Sequence, residues 1–369
     1  MFARSVQTSK CDVFDKDAFL RYNASMNTHY PRVTAVTSMF GDRWKFLTQV
    51  VTAVMNDPHV TKLIIVDNGS SNKEEILNGT KEYGERVQVI REEKNLGSAG
   101  GFAIALEAAQ HTDCDFVFML DDDSVPEDGA ITSFMEIMRL FPDQKVVLSG
   151  NRYTLLTNTE YFYKPSIADD SVRGTFFEVF SWKKVRHFFK LFLWKRKGHH
   201  KRGPFIPIIP TEAFIYGGAF IPIDAVRKAE LPDKSLFLYG DDIEYSWNVK
   251  KLGYDTYYCS IPRLYDVDAT FGTNGSHIFG QFDPQTSDFK VYYRIRNMVR
   301  LSRKHSKQGK FVLFLNVFFW MLGLFTLGLY EYGPTKIYWK RLKLMTQAVI
   351  AGYYPDSALA QGVEGLFFR

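Results

Sequence analysis

The sequence predicts an α/β fold built on a parallel sheet, followed by a helical C-terminal region. Three observations predict it. Strand-like apolar runs alternate with segments of helical spacing between residues 33 and 120. Two of those strands end in carboxylates, at the sheet edge where open α/β folds bind their ligands. Residues 311–330 then form an apolar stretch of 20 residues without a charge, which is long enough to cross a bilayer.

The elements follow in order. Val33 to Phe40 reads as a strand. Arg43 to Asn56 has helical spacing, with Trp44, Leu47, Val50, Val51 and Val54 on one side. Lys62 to Ser70 is a buried strand that ends in the polar turn Asp67-Asn68-Gly69-Ser70. Lys73 to Tyr83 is helical and Val87 to Arg91 is the third strand. A helix opens at Asn95-Leu-Gly-Ser-Ala-Gly-Gly-Phe and runs to Gln110, and Asp115 to Leu120 is the fourth strand. Residues 151–210 break this pattern and read as an insertion. Buried strand character resumes at 213–222, and Asp224 to Glu230 is a short helix. Residues 239–254 form a helix with an acidic start and a Lys-Lys-Leu-Gly stop, matching the helix dipole and its C-cap preferences. Tyr254 to Ile261 is a further strand.

The composition narrows the function classes. At 369 residues and 46% hydrophobic, the chain can bury a full core. Its three cysteines, Cys11, Cys114 and Cys259, are far apart, which gives no disulfide framework or zinc spacing and favours a reducing compartment. Residues 1–32 contain no apolar signal-peptide core. The net charge is +5, but residues 182–202 hold nine Lys and Arg and no acid, leaving −4 for the rest. That argues against a general nucleic-acid binder. Aromatic and aliphatic residues interleave with the nine cations, the make-up of a segment lying on anionic lipid. The apolar stretch 311–330 has lysines on both sides and carries Asn316, Gly323 and Gly328. It reads as a helix or re-entrant pair lying in a leaflet; a true span and a buried core helix are the alternatives.

Asp121-Asp122-Asp123 directly follows the fourth strand. Three adjacent carboxylates repel one another, and a hard divalent cation would offset that repulsion. In an extended chain Asp121 and Asp123 point the same way, so both can reach one ion. A solvated acidic turn is the plainer reading. Asp67 can accept from a base N–H, or simply close an Asx turn. The glycines after Asn95 allow close backbone approach at a helix N-terminus, which favours anions. Gly240-Asp241-Asp242 opens a helix, where an acid can act as a general base or merely cap it.

Taken together and in this order, these motifs resemble family-2 inverting glycosyltransferases of the GT-A fold, over roughly residues 32–300. The matching segments are 66–70, 95–102, 121–123, Gly217-Gly218-Ala219, Gly240 to Glu244 and Tyr292-Tyr-Arg-Ile-Arg-Asn297. The segment around Gly100-Gly101-Phe102 and the triple Asp are most similar to the galactofuranosyltransferase and rhamnosyltransferase branch. The Gln-x-x-Arg-Trp motif of processive synthases is absent from the sequence. The resemblance implies a Rossmann-like nucleotide-sugar-binding domain with a mixed central sheet over 32–300, an N-terminal extension over 1–31 and a membrane-associated helical region over 301–369.

The resemblance also implies the site. Thr37, Asp67, Asn95, Gly97, Gly100, Gly101 and Asp122 would contact the donor. Asp121 and Asp123 would hold Mn²⁺ or Mg²⁺ against its diphosphate. Asp242, with Asp241 beside it, would deprotonate the acceptor hydroxyl. Gly217, Gly218, Tyr245 and Trp247 would border the acceptor, with core packing as the alternative for the aromatic pair. Relatives often place a third metal ligand, a His, just past the strand after the acidic helix. Here Asp266, Asp268 and His277 are the candidates. The implied donor is UDP-galactofuranose, with dTDP-rhamnose second. The implied acceptor is a lipid-linked glycan in cell-surface polysaccharide synthesis, such as lipopolysaccharide O-antigen, at the cytoplasmic face of the inner membrane. A sugar-phosphate nucleotidyltransferase is disfavoured, because residues 37–43 are not its Gly-rich loop. A non-catalytic subunit of a polysaccharide assembly complex is the remaining alternative.

Overall fold

The computed structural model describes residues 31–141, 145–153, 206–268, 281–282, 286–305 and 309–367. The basic segment 182–202 and His277 lie outside the described residues.

Four parallel strands form the first half of the sheet: β1 (Val33–Met39), β2 (Val60–Asn68), β3 (Val87–Glu92) and β4 (Phe116–Asp121). They are rich in Val, Ile and Leu because helices cover both faces. The second half is mixed. It contains β5 (Ser124–Pro126), β6 (Val146–Tyr153), β7 (Ile208–Thr211), β8 (Ala219–Pro222) and β9 (Asp255–Asp266). The strand order is β3-β2-β1-β4-β8-β6-β9-β5, with β7 also paired to β9. Direction reverses at β8, which is antiparallel to both β4 and β6.

Two apolar layers sandwich the sheet. On one face α1 (Trp44–Asn56) buries Leu47, Val50, Val51 and Val54, the side its spacing predicts. It shares that face with α2 (Lys73–Thr80), through Ile76, and with α4 (Ala130–Met138). The opposite face packs against α3 (Gly97–Gln110), α5 (Ile223–Lys228) and α6 (Asp241–Lys251). Each of these helices presents an apolar stripe because its residues fall on the sheet side every three or four positions.

The C-terminal helices are α7 (Asp288–His305), α8 (Lys310–Tyr332), α9 (Lys336–Tyr353) and α10 (Ala358–Phe367). They build a third core around Tyr292, Tyr293, Trp320, Tyr338 and Met345. The domain boundary expected at residue 300 falls inside α7. The strand expected to stop at Ile261 runs on to Asp266. The run 213–222 is a strand only over β8.

Among the described residues α8 is the one helix long and apolar enough to cross a membrane, and 35% of its apolar window is buried. Leu313, Asn316, Val317, Trp320 and Leu324 face the third core, while Phe311, Phe314, Phe318, Phe319, Leu322 and Phe325 are exposed. The helix therefore lies along the body of the protein with an apolar stripe outward.

Candidate active site

The carboxyl ends of β2 and β4, the β5–β9 pair and the start of α6 meet at one edge of the sheet. Asp67 ends β2 and is buried. One of its oxygens accepts from the Ser70 amide, three residues on, at 2.9 Å, and the other accepts from Arg91. Arg91 also donates to the Ser70 carbonyl at 3.0 Å. The turn is thus held rigid by an arginine from the neighbouring strand, which sequence reasoning missed.

The glycine-rich segment packs closely against the rest of the protein. Gly97 adopts φ +72°, and a Cβ there would lie 1.9 Å from the Phe237 carbonyl oxygen. A Cβ on Gly101 would lie 2.0 Å from Ser38 Oγ, and one on Gly100 would lie 2.4 Å from Leu96 Cβ. Each of these glycines thus permits a close approach to protein that a side chain would block. Asn95 likewise accepts from the Gly97 amide at 2.8 Å, and Asn68 donates to the Gly97 carbonyl at 2.8 Å. Thr37 is fully buried inside β1, and its hydroxyl finds no partner among the described residues.

The triple Asp is the centre of a charge network. Arg43 Nε donates to Asp122 at 2.7 Å, while its terminal nitrogens reach Asp123 at 3.0 Å and Asp268 at 2.6 Å. Arg152 donates to Asp121 at 2.5 Å and to Asp266 at 2.5 Å, and lies 3.5 Å from Asp123. Asp266 arrives because β9 pairs antiparallel with β5, setting it opposite Ser124. The Val267 amide donates to the Asp123 carbonyl at 2.9 Å, which brings Asp268 alongside. Gly217 makes room for the network, since a Cβ there would lie 2.8 Å from an Asp121 carboxylate oxygen. Gly218, with φ +102°, lies against Leu264 instead.

Five carboxylates thus face two guanidiniums. Burial, then the neighbouring acids, push the Asp123 carboxyl up to about 7. Burial pushes Asp122 up to about 6, against the pull of Arg43. Among the described residues, no three acid, His or Cys side chains converge on a common point as around a bound ion. The donor set itself, several carboxylates with negative charge in excess, fits a hard divalent cation such as Mn²⁺ or Mg²⁺.

Asp241 and Asp242 open α6, directly after a strained loop. Phe237 and Tyr239 adopt positive φ (63° and 68°), and Gly240 follows at +83°. This conformation is disfavoured for side-chain residues, so the surroundings must impose it. Asn297 Nδ2 does so by donating to the carbonyls of Leu236, Leu238 and Tyr239 at 2.7, 2.7 and 2.8 Å. Arg296 adds bonds of 2.8 Å to the Ser235 and Leu236 carbonyls. The Arg-Asn pair of the 292–297 segment therefore positions the acidic helix start. Both carboxyls are raised above their ordinary range, Asp241 by burial and then Asp242, and Asp242 by burial and then Asp121. Asp242 Oδ1 accepts from the Ile243 amide at 2.8 Å.

Tyr245 and Trp247 are buried, as the core-packing alternative has it. Tyr245 is fully buried against Phe214 and Tyr216. Trp247 packs with Ala99, Leu236 and Leu301. A helix that opens with the site turns these side chains inward. Tyr216 was missed by sequence reasoning. Its buried hydroxyl has no partner among the described residues, and the nearby Asp241 and Asp242 act on it electrostatically.

Comparison with known proteins finds similarity in sequence and in fold. The glycosyl transferase family 2 profile matches residues 34–216. Galactofuranosyltransferase GlfT1 of Mycolicibacterium smegmatis is 25% identical over 222 residues, covering 59% of this chain and 65% of that protein's length. The structure of GalNAc-T7 with UDP, GalNAc and Mn²⁺ is similar in fold, with TM-score 0.52, 14% identity, and coverage of 75% of this chain and 48% of that one. S. aureus TarS with UDP-GlcNAc overlaps with TM-score 0.48 and 10% identity, over 87% of this chain and 81% of its own.

Proposed function

This chain belongs to glycosyl transferase family 2 through residues 34–216, and from that premise we propose that it transfers a sugar, with inversion, from a nucleoside diphosphate donor to a lipid-borne glycan. One observation carries the reading. The Asp242 carboxyl, at the start of α6, lies within electrostatic reach of Asp121 and Arg152 in the acidic network, so a base and an acidic donor site share one sheet edge. A general base must stand beside the electrophile it serves, and this juxtaposition supports that role for Asp242.

In this reading Asp67 and the Ser70 turn receive the nucleobase. Asp121 and Asp123, with Asp266 or Asp268, would hold a divalent cation, which when bound offsets charge building on the departing diphosphate. Holding it requires Arg43 and Arg152 to give up part of their pairing. Asp242 takes the proton of the acceptor hydroxyl, whose oxygen attacks the anomeric carbon opposite the leaving group. The C1–O bond to the diphosphate breaks as the new C1–O bond forms.

UDP-galactofuranose is the donor we favour, in keeping with the named activity of the mycobacterial relative; dTDP-rhamnose is second. The exposed stripe of α8 supports membrane contact, which we assign to the cytoplasmic face of the cell membrane. Calorimetric titration of UDP and of dTDP, each with Mn²⁺ and with EDTA, tests the donor site. Metal-dependent binding of UDP over dTDP is expected. Preference for dTDP would shift the donor to rhamnose, and binding of neither by folded protein would overturn the reading.

A further inference from the structure

We infer that the cavity between the C-terminal end of α7, the first turn of α8 and the end of α9 binds the phosphate group of a lipid. The cavity measures about 730 Å³, within the range of ligand sites. It is lined by Arg300, Arg303 and Lys304 of α7, Lys310 of α8, and Gly352 and Tyr353 of α9, and among the described residues no acidic side chain lines it.

Among the described residues, three of the four cations, Arg300, Arg303 and Lys310, are not paired with a carboxylate. Arg300 donates to the Ser235 carbonyl at 3.0 Å and its hydroxyl at 3.2 Å. Arg303 donates to the Tyr353 carbonyl, and its guanidinium lies over the Tyr353 ring at 5.4 Å from the centroid. Among the described residues neither arginine nor Lys310 forms an ion pair; Lys304 pairs with Glu244 at 2.5 Å. Burial, then the nearby charge of Arg296, lowers the Arg300 pKa, against the pull of Asp233, Glu364 and Asp356. The N-terminus of α8 adds to the positive charge. That helix is 23 residues long and starts at Gly309 without a side-chain cap, which leaves its first amides and the positive end of its dipole at the cavity.

What separates a lipid phosphate from a free anion is the apolar path leading away. Leu313 lines the same cavity, and Phe311, Phe314 and Phe318 begin the exposed stripe of α8 beside it. An anionic head with an apolar tail matches both halves of this surface. The cavity is also joined to the candidate base. Lys304 pairs with Glu244 on α6, the helix that opens with Asp241 and Asp242. This inference rests on the proposed lipid-borne acceptor, and two sources share the chemistry: a bilayer phospholipid and the phosphate end of a lipid-linked glycan.

Full-length protein is titrated with soluble dihexanoyl phosphatidic acid, farnesyl diphosphate, dihexanoyl phosphatidylcholine and inorganic phosphate. The expected result is a preference of about tenfold or more for an anionic lipid over both phosphatidylcholine and inorganic phosphate. Tighter binding of farnesyl diphosphate names an isoprenoid diphosphate, and equal or weaker binding than phosphatidic acid names a bilayer phospholipid. Arg303→Gln and, separately, the exposed-site variant Lys310→Gln should each weaken that binding about tenfold. Unchanged lipid affinity in the folded Lys310→Gln and Arg303→Gln proteins would overturn the inference. So would inorganic phosphate or phosphatidylcholine binding as tightly as the anionic lipids. UDP binding is measured in parallel: lipid binding without UDP binding would sink the transferase reading while this site stands, and the reverse would sink the site alone.

Discussion

Asp242 is expected to act as a base, and its surroundings fix how its removal should look. It accepts from its own helix at the Ile243 amide, and burial raises its pKa. Asp242→Asn keeps shape and that hydrogen bond but cannot take a proton. Turnover should fall by about 10²–10⁴-fold, with UDP affinity within error of the parent and a melting temperature no lower than the parent's. Near-parental turnover would remove the assignment. The raised pKa predicts a pH profile as well. Because the carboxylate is the working form, activity should decline on the acid side with an apparent pKa well above the ~4 of a free carboxyl. That value belongs to the Asp241–Asp242 pair rather than to one residue. The sign for stability is opposite. A carboxyl whose pKa rises on folding stabilises the fold below its unfolded value, and that contribution is lost as the pH climbs through the folded one.

At the scale of elements, the start of α3 and the loop before α6 are one unit. Gly97 sits under the Phe237 carbonyl, and the Ala99 amide donates to that oxygen at 3.1 Å. Gly97→Ala therefore combines a positive φ with a backbone collision, and should cost about 2–4 kcal/mol. Gly129→Ala is the control, with φ +77° but nothing within 4 Å of the added Cβ, and should cost about 1 kcal/mol. Equal losses on denaturant titration would dissolve the distinction. This contact also shows what the sequence could disclose. The alternation of β1 to β4 with α1 to α3 was readable because each element carries its own apolar period, and the triple Asp because its charges are adjacent. The role of Gly97 was not, since the group it makes room for lies at Phe237. The sequence left Tyr245 and Trp247 between an acceptor border and core packing for the same reason: spacing shows a helix has faces, but not which one a distant core will cover.

The exposed stripe of α8 is an element-scale property with a separate consequence. Phe314 and Phe318 lie one turn apart on the outward face and their rings stack at 6.4 Å between centroids. Replacing both with Ser removes apolar area that would enter a lipid interface, without touching the inward side chains Val317 and Trp320. Co-sedimentation with anionic vesicles should drop about tenfold or more, on a transfer energy of about 1.5–3 kcal/mol per buried side chain. Sedimentation equal to the parent would show that α8 is not the membrane contact.

The acidic network belongs to the whole molecule. Asp121 to Asp123 come from the end of β4, Asp266 and Asp268 from the end of β9, Arg43 from the entry to α1, and Arg152 from β6. Only the finished sheet order, with β9 beside β5, brings them together. That is why the sequence offered Asp266 and Asp268 as alternatives and did not disclose either arginine. Arg43 bridges Asp122, Asp123 and Asp268, so Arg43→Gln leaves carboxylates at that edge short of a counter-charge. Removing one partner of a buried ion pair costs about 3–5 kcal/mol. In EDTA the variant should therefore melt well below the parent. If the donor set accepts a divalent cation, Mn²⁺ should restore stability to the variant more than it raises the parent, because in the parent the ion must displace a guanidinium already in place. A variant that melts with the parent in EDTA would make Arg43 dispensable to the network, and equal Mn²⁺ responses would show that the arginine and the cation do not share these carboxylates.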